Sequence, residues 1–177
     1  MNTNGLLMGF ALLGWLFALS TSKTRAENEP KYDNAGLIKK GTKAPLFTLK
    51  DQEGKKVDTE TFLEKKNVVL IFYPGDNTPG CTKQLCSIRE DYSLFKDSDT
   101  VVFGINPQNA ASHKKFIEKQ RFPFQLLVDK DKRVLTLYGA KGLLLTKRTV
   151  YGIDKEGRVV FAERGAPSNE KILAAFR

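Results

Sequence analysis

Two cysteines, Cys81 and Cys86, stand five positions apart in the 177-residue chain, and the chemistry of the sequence starts from them. They follow the string Tyr73-Pro74-Gly75-Asp76-Asn77-Thr78-Pro79-Gly80. Thr78 is a good helix N-cap and Pro79 a favoured first helical residue, which puts Cys81 in the first turn of a helix. A free thiol ionises near pH 8.5, and only its thiolate is a nucleophile. The unpaired N–H groups and the positive dipole end of a first helical turn favour that anion. Thr78, three residues earlier, is placed to aim its hydroxyl at the sulfur, and Arg148, at the start of a later strand, to bring a guanidinium. Backbone amides around Cys81 suit an oxygen that gains negative charge as an O–O bond breaks.

Helix geometry separates the two thiols. On a helical wheel Leu85, Ile88, Tyr92 and Phe95 fall within about 40° of Cys81, so Cys81 continues a core-facing stripe, whereas Cys86 sits about 140° round. In one intact helix their Cα atoms would be roughly 8–9 Å apart, beyond the ~7 Å that a disulfide tolerates. If they bond, the first turns must unwind, and the glycines at 75 and 80 make that easier. The plain alternatives are a static disulfide or two inert thiols. The spacing argues against the first and the Thr-Pro-Gly-Cys helix start against the second.

These residues need a scaffold. Val68 to Tyr73 is a continuous apolar, β-rich run that marks a strand buried on both faces, and Thr100–Ile105 and Phe124–Val128 share its character. Helical stretches Thr82–Phe95 and Asn109–Gln120 separate the three runs, which implies parallel strands with right-handed crossovers. Leu46–Asp51 and Lys56-Val57 flank a turn at Gln52–Gly54, and Thr59–Glu64 suits a short helix. Strands from Arg148 and from Arg158 flank the turn Asp154–Gly157, and Ser168 caps a last helix with Ile172, Leu173 and Phe176 on its apolar side. The expected fold class is α/β: a thioredoxin-like mixed sheet with parallel βαβ units and a C-terminal antiparallel hairpin, flanked by helices. Phe72, Tyr73, Phe103 and Phe122 read as core, with Tyr73 also able to line a pocket mouth.

Leu6 to Leu19 carries no charge and suits a signal-peptide core better than a spanning helix, which needs about 20 residues. Lys23 and Arg25 follow this run instead of preceding it, and Thr24-Arg25-Ala26 or Ala18-Leu19-Ser20 would serve as a cleavage site. Residues 1–26 are therefore expected to be an export signal, with an uncleaved membrane anchor as the alternative. Residues 27–40 are expected to be a polar linker and 41–177 the domain. The product would be exported, periplasmic or otherwise extracytoplasmic, and would meet a membrane only if residues 1–26 stay attached. The net charge is +9, but the lysines come in scattered pairs between acids. That pattern reads as solvated surface and excludes a nucleic-acid face.

Pro74-x-x-x-Thr78-x-x-Cys81 resembles the peroxiredoxin active-site signature. The fuller string Tyr-Pro-x-Asp-Asn-Thr-Pro-Gly-Cys-Thr-x-Gln-x-Cys-x-x-Arg resembles the bacterioferritin-comigratory, or peroxiredoxin Q, subfamily over residues 40–177. The resemblance implies a peroxidatic Cys81, a resolving Cys86 that captures it as a disulfide, an activating pair Thr78 and Arg148, and Pro74 as a shield over the pocket. Gln84 stands where the family has Glu or Gln, and Val150 where it often has Ser or Thr. It also implies a monomer acting on hydrogen peroxide or alkyl hydroperoxides and recycled by thioredoxin or a similar dithiol protein, with no cofactor and no metal. Two other functions use the same fold. A disulfide-exchange protein wants C-x-x-C, and the spacing here is C-x₄-C. A copper-binding protein wants a histidine beside two thiolates; the lone histidine, His113, reads as a surface residue beside Lys114 and Lys115.

Overall fold

The computed structural model describes residues 29–177. The expectations for residues 1–26 lie outside them. Among the described residues no helix is long and apolar enough to cross a membrane.

Seven strands form one sheet: β1 (Thr48–Asp51), β2 (Lys56–Asp58), β3 (Asn67–Phe72), β4 (Thr100–Asn106), β5 (Gln125–Val128), β6 (Thr149–Ile153) and β7 (Val159–Arg164). Their order is β2-β1-β5-β4-β3-β6-β7. β3, β4 and β5 run parallel in the middle, as their continuous apolar composition implies. β6 and β7 form the antiparallel hairpin on one side, and β1 and β2 the hairpin on the other. This is the thioredoxin-like plan expected from the sequence.

β3 divides the core. Val68, Leu70 and Phe72 belong to one apolar cluster, and Val69, Ile71 and Tyr73 to the other, because side chains alternate along a strand. The helices that matter most for the site are α1 (Pro79–Glu90), α2 (Tyr92–Asp97), α3 (Ala110–Gln120) and α5 (Asn169–Ala174). Cys81, Leu85 and Ile88 of α1, Phe95 of α2, Phe116 of α3 and Ile172 of α5 share the cluster of Tyr73. The opposite cluster holds Tyr138 and Tyr151, whose hydroxyls donate to the carbonyls of Pro45 and Tyr138. Burial first, and then the neighbouring Tyr151 and Tyr32, push the Tyr138 hydroxyl well above its ordinary pKa; burial pushes that of Tyr151 up to about 12.

Three expectations need correction. The described part of the expected linker, residues 29–40, is not a bare polar segment: Leu37 and Ile38 are buried, and Tyr32 pairs with Ile38 in a short bridge. Leu37-Ile38 is an apolar pair that covers the tyrosine cluster, with the Ile38 N–H donating to the Tyr151 hydroxyl. The helix expected over Thr82–Phe95 is two helices, because Asp91 leaves helical dihedrals (φ −98°, ψ 15°). Asn169 Nδ2 donates to Asp91 Oδ2 at 2.7 Å and to the Ser87 carbonyl at 3.0 Å, tying the break to α5. A further short helix, α4 (Arg133–Leu137), lies where no element was expected, and Val134 and Leu135 cover the sheet from it.

Candidate active site

The chain leaves β3 at Phe72, turns through Pro74–Thr78 and enters α1 at Pro79. Asn77 supplies the left-handed residue of that turn (φ +57°), a conformation Asn tolerates better than most residues. Thr78 holds the N-cap position with extended backbone (φ −80°, ψ 143°) but makes no side-chain cap bond. Its hydroxyl donates instead to the Gly75 carbonyl at 3.2 Å, tightening the turn, and the residue is exposed. Pro74 is half-buried at the start of the turn.

Cys81 is fully buried in the first turn of α1, and both cysteines are free thiols. Arg148 reaches Cys81 from the residue before β6: Nη2 donates to Sγ at 3.1 Å. Its Nη1 donates to Oε1 of the buried Gln84, one turn further along α1. The guanidinium is thereby held by two side chains of one helix. The guanidinium passes close over Gly80, where a Cβ would stand in ordinary contact with Arg148 Nη2 at 3.4 Å. The sequence places Arg148 at the start of this strand, and it stands one residue before β6 begins. Gln84 as the second partner was visible only as a position in a motif.

Cys86 lies in the same unbroken helix, half-buried and off the Cys81 stripe. Its thiol faces Gln120 Oε1 at 3.6 Å, a weak sulfur contact, while Arg89 Nη1 donates to the Gln120 carbonyl at 2.6 Å. The two thiols are thus held apart by helical structure, as their spacing implies.

His113 is not on the surface. It is fully buried, and its Nδ1 lies 2.9 Å from Asp76 Oδ2. The carboxylate opposite accepts from Nδ1, and Nε2 faces a second acceptor, the Leu127 carbonyl, at 3.3 Å. Three other groups bond to Asp76: the Tyr73 hydroxyl at 2.8 Å, Asn106 Nδ2 at 3.0 Å and the Ser112 hydroxyl at 2.5 Å. Burial alone would raise the Asp76 carboxyl. The hydrogen bonds from His113 and Ser112, the charge of His113 and the Tyr73 bond together hold it below its ordinary value. Tyr73 is pushed well above its ordinary value, first by burial and then by Asp76. The ring of Tyr73 fits because β4 has Gly104 beside it: a Cβ there would stand 2.5 Å from Leu126 Cδ2 and 3.1 Å from Tyr73 Cε1.

His113 was misplaced because the lysines after it dominate a local reading. Phe116 and Ile117, three and four residues on, were the available signal, since they mark its side of the helix as the inner one. Among the described residues no three metal-ligating side chains cluster, and His113 is joined to a carboxylate and a carbonyl, with no thiol bonded to it.

The chain and its fold match known proteins. The model of the AhpC/TSA family covers residues 40–162, and the chain belongs to that family. Peroxiredoxin Q of Triticum aestivum chloroplasts is 46% identical over 141 residues, 78% of this chain and 64% of the wheat protein. Chloroplastic peroxiredoxin Q of Arabidopsis thaliana is 46% identical over 125 residues, 69% of this chain and 57% of that one. The chain therefore spans somewhat under two thirds of these plant relatives. Among solved structures, peroxidoxin BcpB of Mycobacterium tuberculosis superposes with a TM-score of 0.72 at 34% identity, covering 77% of this chain and 95% of that one. Xanthomonas campestris peroxiredoxin Q gives 0.67 at 26% identity, covering 73% and 88%. The thioredoxin-like fold and the peroxiredoxin Q resemblance both stand.

Proposed function

We propose that the protein is a thiol peroxidase that reduces hydrogen peroxide and alkyl hydroperoxides, with Cys81 as nucleophile. The observation that carries this reading is the Arg148 Nη2 contact with Cys81 Sγ at 3.1 Å in the first turn of α1. A guanidinium and a helix start together favour a thiolate over a thiol. The thiolate attacks the terminal oxygen of the hydroperoxide and the O–O bond breaks. The leaving oxygen takes a proton and departs as water or alcohol, and Cys81 becomes a sulfenic acid. Thr78 and Pro74 shape the approach to the sulfur, and Arg148 steadies the developing charge.

The first turns of α1 then unwind, Cys86 attacks the sulfenic sulfur, an S–S bond forms and water leaves. An external dithiol protein of the thioredoxin kind supplies two electrons and two protons to restore both thiols. No metal or organic cofactor enters this cycle, and one monomer contains every residue it needs. Residues 1–26 are read as a targeting segment. The chloroplastic names of the plant relatives favour targeting as such, and an extracytoplasmic destination, with the segment cleaved or kept as an anchor, is the finer proposal.

Single-turnover oxidation followed by mass spectrometry tests the cycle. One equivalent of peroxide should convert the reduced protein to the Cys81–Cys86 disulfide, lighter by two hydrogens. Cys86→Ser should stop at a sulfenic acid on Cys81 after one equivalent. Peroxide that leaves both thiols of the folded wild type unreacted at neutral pH would defeat the reading.

A further inference from the structure

The mechanism uses Cys81, Cys86, Arg148, Thr78 and Pro74 and gives no task to a cluster of buried polar side chains beside them. That cluster converges on Asp76, five residues before Cys81. Tyr73 approaches it from the end of β3, Asn106 from the end of β4, and Ser112 and His113 from the first turns of α3. His113 extends the link to the Leu127 carbonyl in β5. The backbone is held as well, with the Asp76 N–H donating to Gln108 Oε1 at 2.5 Å. Gln108 is fixed in turn by the Asn106 side chain, which accepts from its N–H at 2.7 Å. Asp76 accepts four side-chain bonds while almost fully buried. A carboxylate so placed is costly to leave unpaired, so removing one donor is felt by the rest.

The far end of the same helix is held differently. Near Cys86 the tie to α3 is the 3.6 Å thiol contact with Gln120 and the Arg89 bond to the Gln120 carbonyl. α3 therefore grips the segment before Cys81 with buried charged bonds and touches the segment around Cys86 lightly.

We infer that Asp76 and His113 form a positioning pair that pins the turn entering α1, so that the Cys81 pocket is preassembled and the unwinding needed for the disulfide is confined to residues after Gly80. Neither side chain hydrogen-bonds to Cys81, whose side-chain partner is Arg148. They act through the backbone from Gly75 to Thr78, which sets where the helix begins and where its first N–H groups point. Preassembly matters for the attack on peroxide, where small misplacements are expensive. It is irrelevant to the later condensation of Cys86, which proceeds from a melted helix start. The pair should consequently govern one chemical step and spare the other.

This inference rests on the peroxidase reading, and a two-step experiment on the full chain separates them. Rapid quench and thiol-specific mass labelling resolve the peroxide-dependent formation of sulfenic acid from the peroxide-independent formation of disulfide. In His113→Leu the first step should slow about tenfold or more while the second keeps or exceeds its wild-type rate. His113→Asn, which retains an N–H donor toward Asp76, should recover most of the loss. Ser112→Ala removes one bond from a partly exposed position and should give a smaller shift in the same direction without threatening the fold. Amide hydrogen exchange provides a readout independent of peroxide: Gly75–Thr78 should exchange faster in His113→Leu and Ser112→Ala, with β6 unchanged. Equal slowing of both steps, or a first step as fast as wild type, would overturn the positioning role. A wild type inert to peroxide would instead sink the peroxidase reading, and the exchange data alone would then decide whether the anchor exists.

Discussion

Phe72 and Tyr73 are adjacent in the chain and equally buried, yet they face opposite sides of the sheet and meet different kinds of polar partner. On the Phe72 side, hydroxyl groups close onto backbone. Tyr138 donates to Pro45, and Tyr151 receives the Ile38 N–H and donates to Tyr138. On the Tyr73 side the hydroxyls of Tyr73 and Ser112 meet the Asp76 carboxylate, which also bonds His113, and Arg148 separately donates to Cys81. Both faces are buried and bonded, so burial does not mark the site. What marks it is that the bonds end on titratable and nucleophilic groups instead of peptide carbonyls.

Substitutions on the two faces should therefore separate activity from stability. Arg148→Ala is expected to have the largest effect, lowering the rate of Cys81 oxidation by about a hundredfold with little change in melting temperature, since it removes a charge-assisted donor at the reacting sulfur. Stopped-flow peroxide consumption beside calorimetry checks both halves, and an unaltered rate would erase the functional contrast between the faces. Gly104→Ala comes next. Its methyl would collide with Leu126 and Tyr73, which should destabilise the protein by about 1–3 kcal/mol and disturb the Asp76 side through the Tyr73 ring. Denaturant unfolding measures the first effect and the oxidation rate the second.

A pH series sharpens the contrast further. The folded Asp76 carboxyl sits below its ordinary value, so its stabilisation is fully present above the unfolded pKa of about 4 and is lost as the pH falls through the lower folded value. The melting-temperature gap between wild type and Asp76→Asn should be constant from pH 7 to pH 5 and narrow below about pH 4. A gap independent of pH would show that the carboxylate charge is not what the network holds. Tyr151→Phe, on the quiet face, orphans the Ile38 N–H. It should cost about 1 kcal/mol, or roughly 2–4 °C in melting temperature, and leave peroxide turnover as in wild type. Leu144→Ser should do least: with 84% of the residue exposed, stability should change by less than about 0.5 kcal/mol.

The sequence carried the parts that obey local rules. Continuous apolar runs disclosed β3, β4 and β5, and the hairpin disclosed itself through Asp154–Gly157. The Thr78-Pro79 start together with the Leu85/Ile88 stripe placed Cys81 inward at the head of a helix. What stayed hidden depends on partners far along the chain. His113 meets Asp76 thirty-seven positions away, and the Asp91 break answers to Asn169 seventy-eight positions away. No periodicity reports such pairs. Leu37 and Ile38 were lost for a related reason: two apolar residues in a polar stretch look like noise until the tyrosines they cover are known. α4 is too short, at five residues, to establish a helical period.

Arg148 lies over the opening turn at Gly80 like a clasp, fastened at one end to Gln84 and at the other to sulfur. In the proposed cycle Cys81 takes up an oxygen, and Arg148 then no longer meets the bare sulfur it grips in the reduced protein. That end of the clasp would loosen as the helix start opens, so turnover would unlock its own scaffold, and reduction would fasten it again.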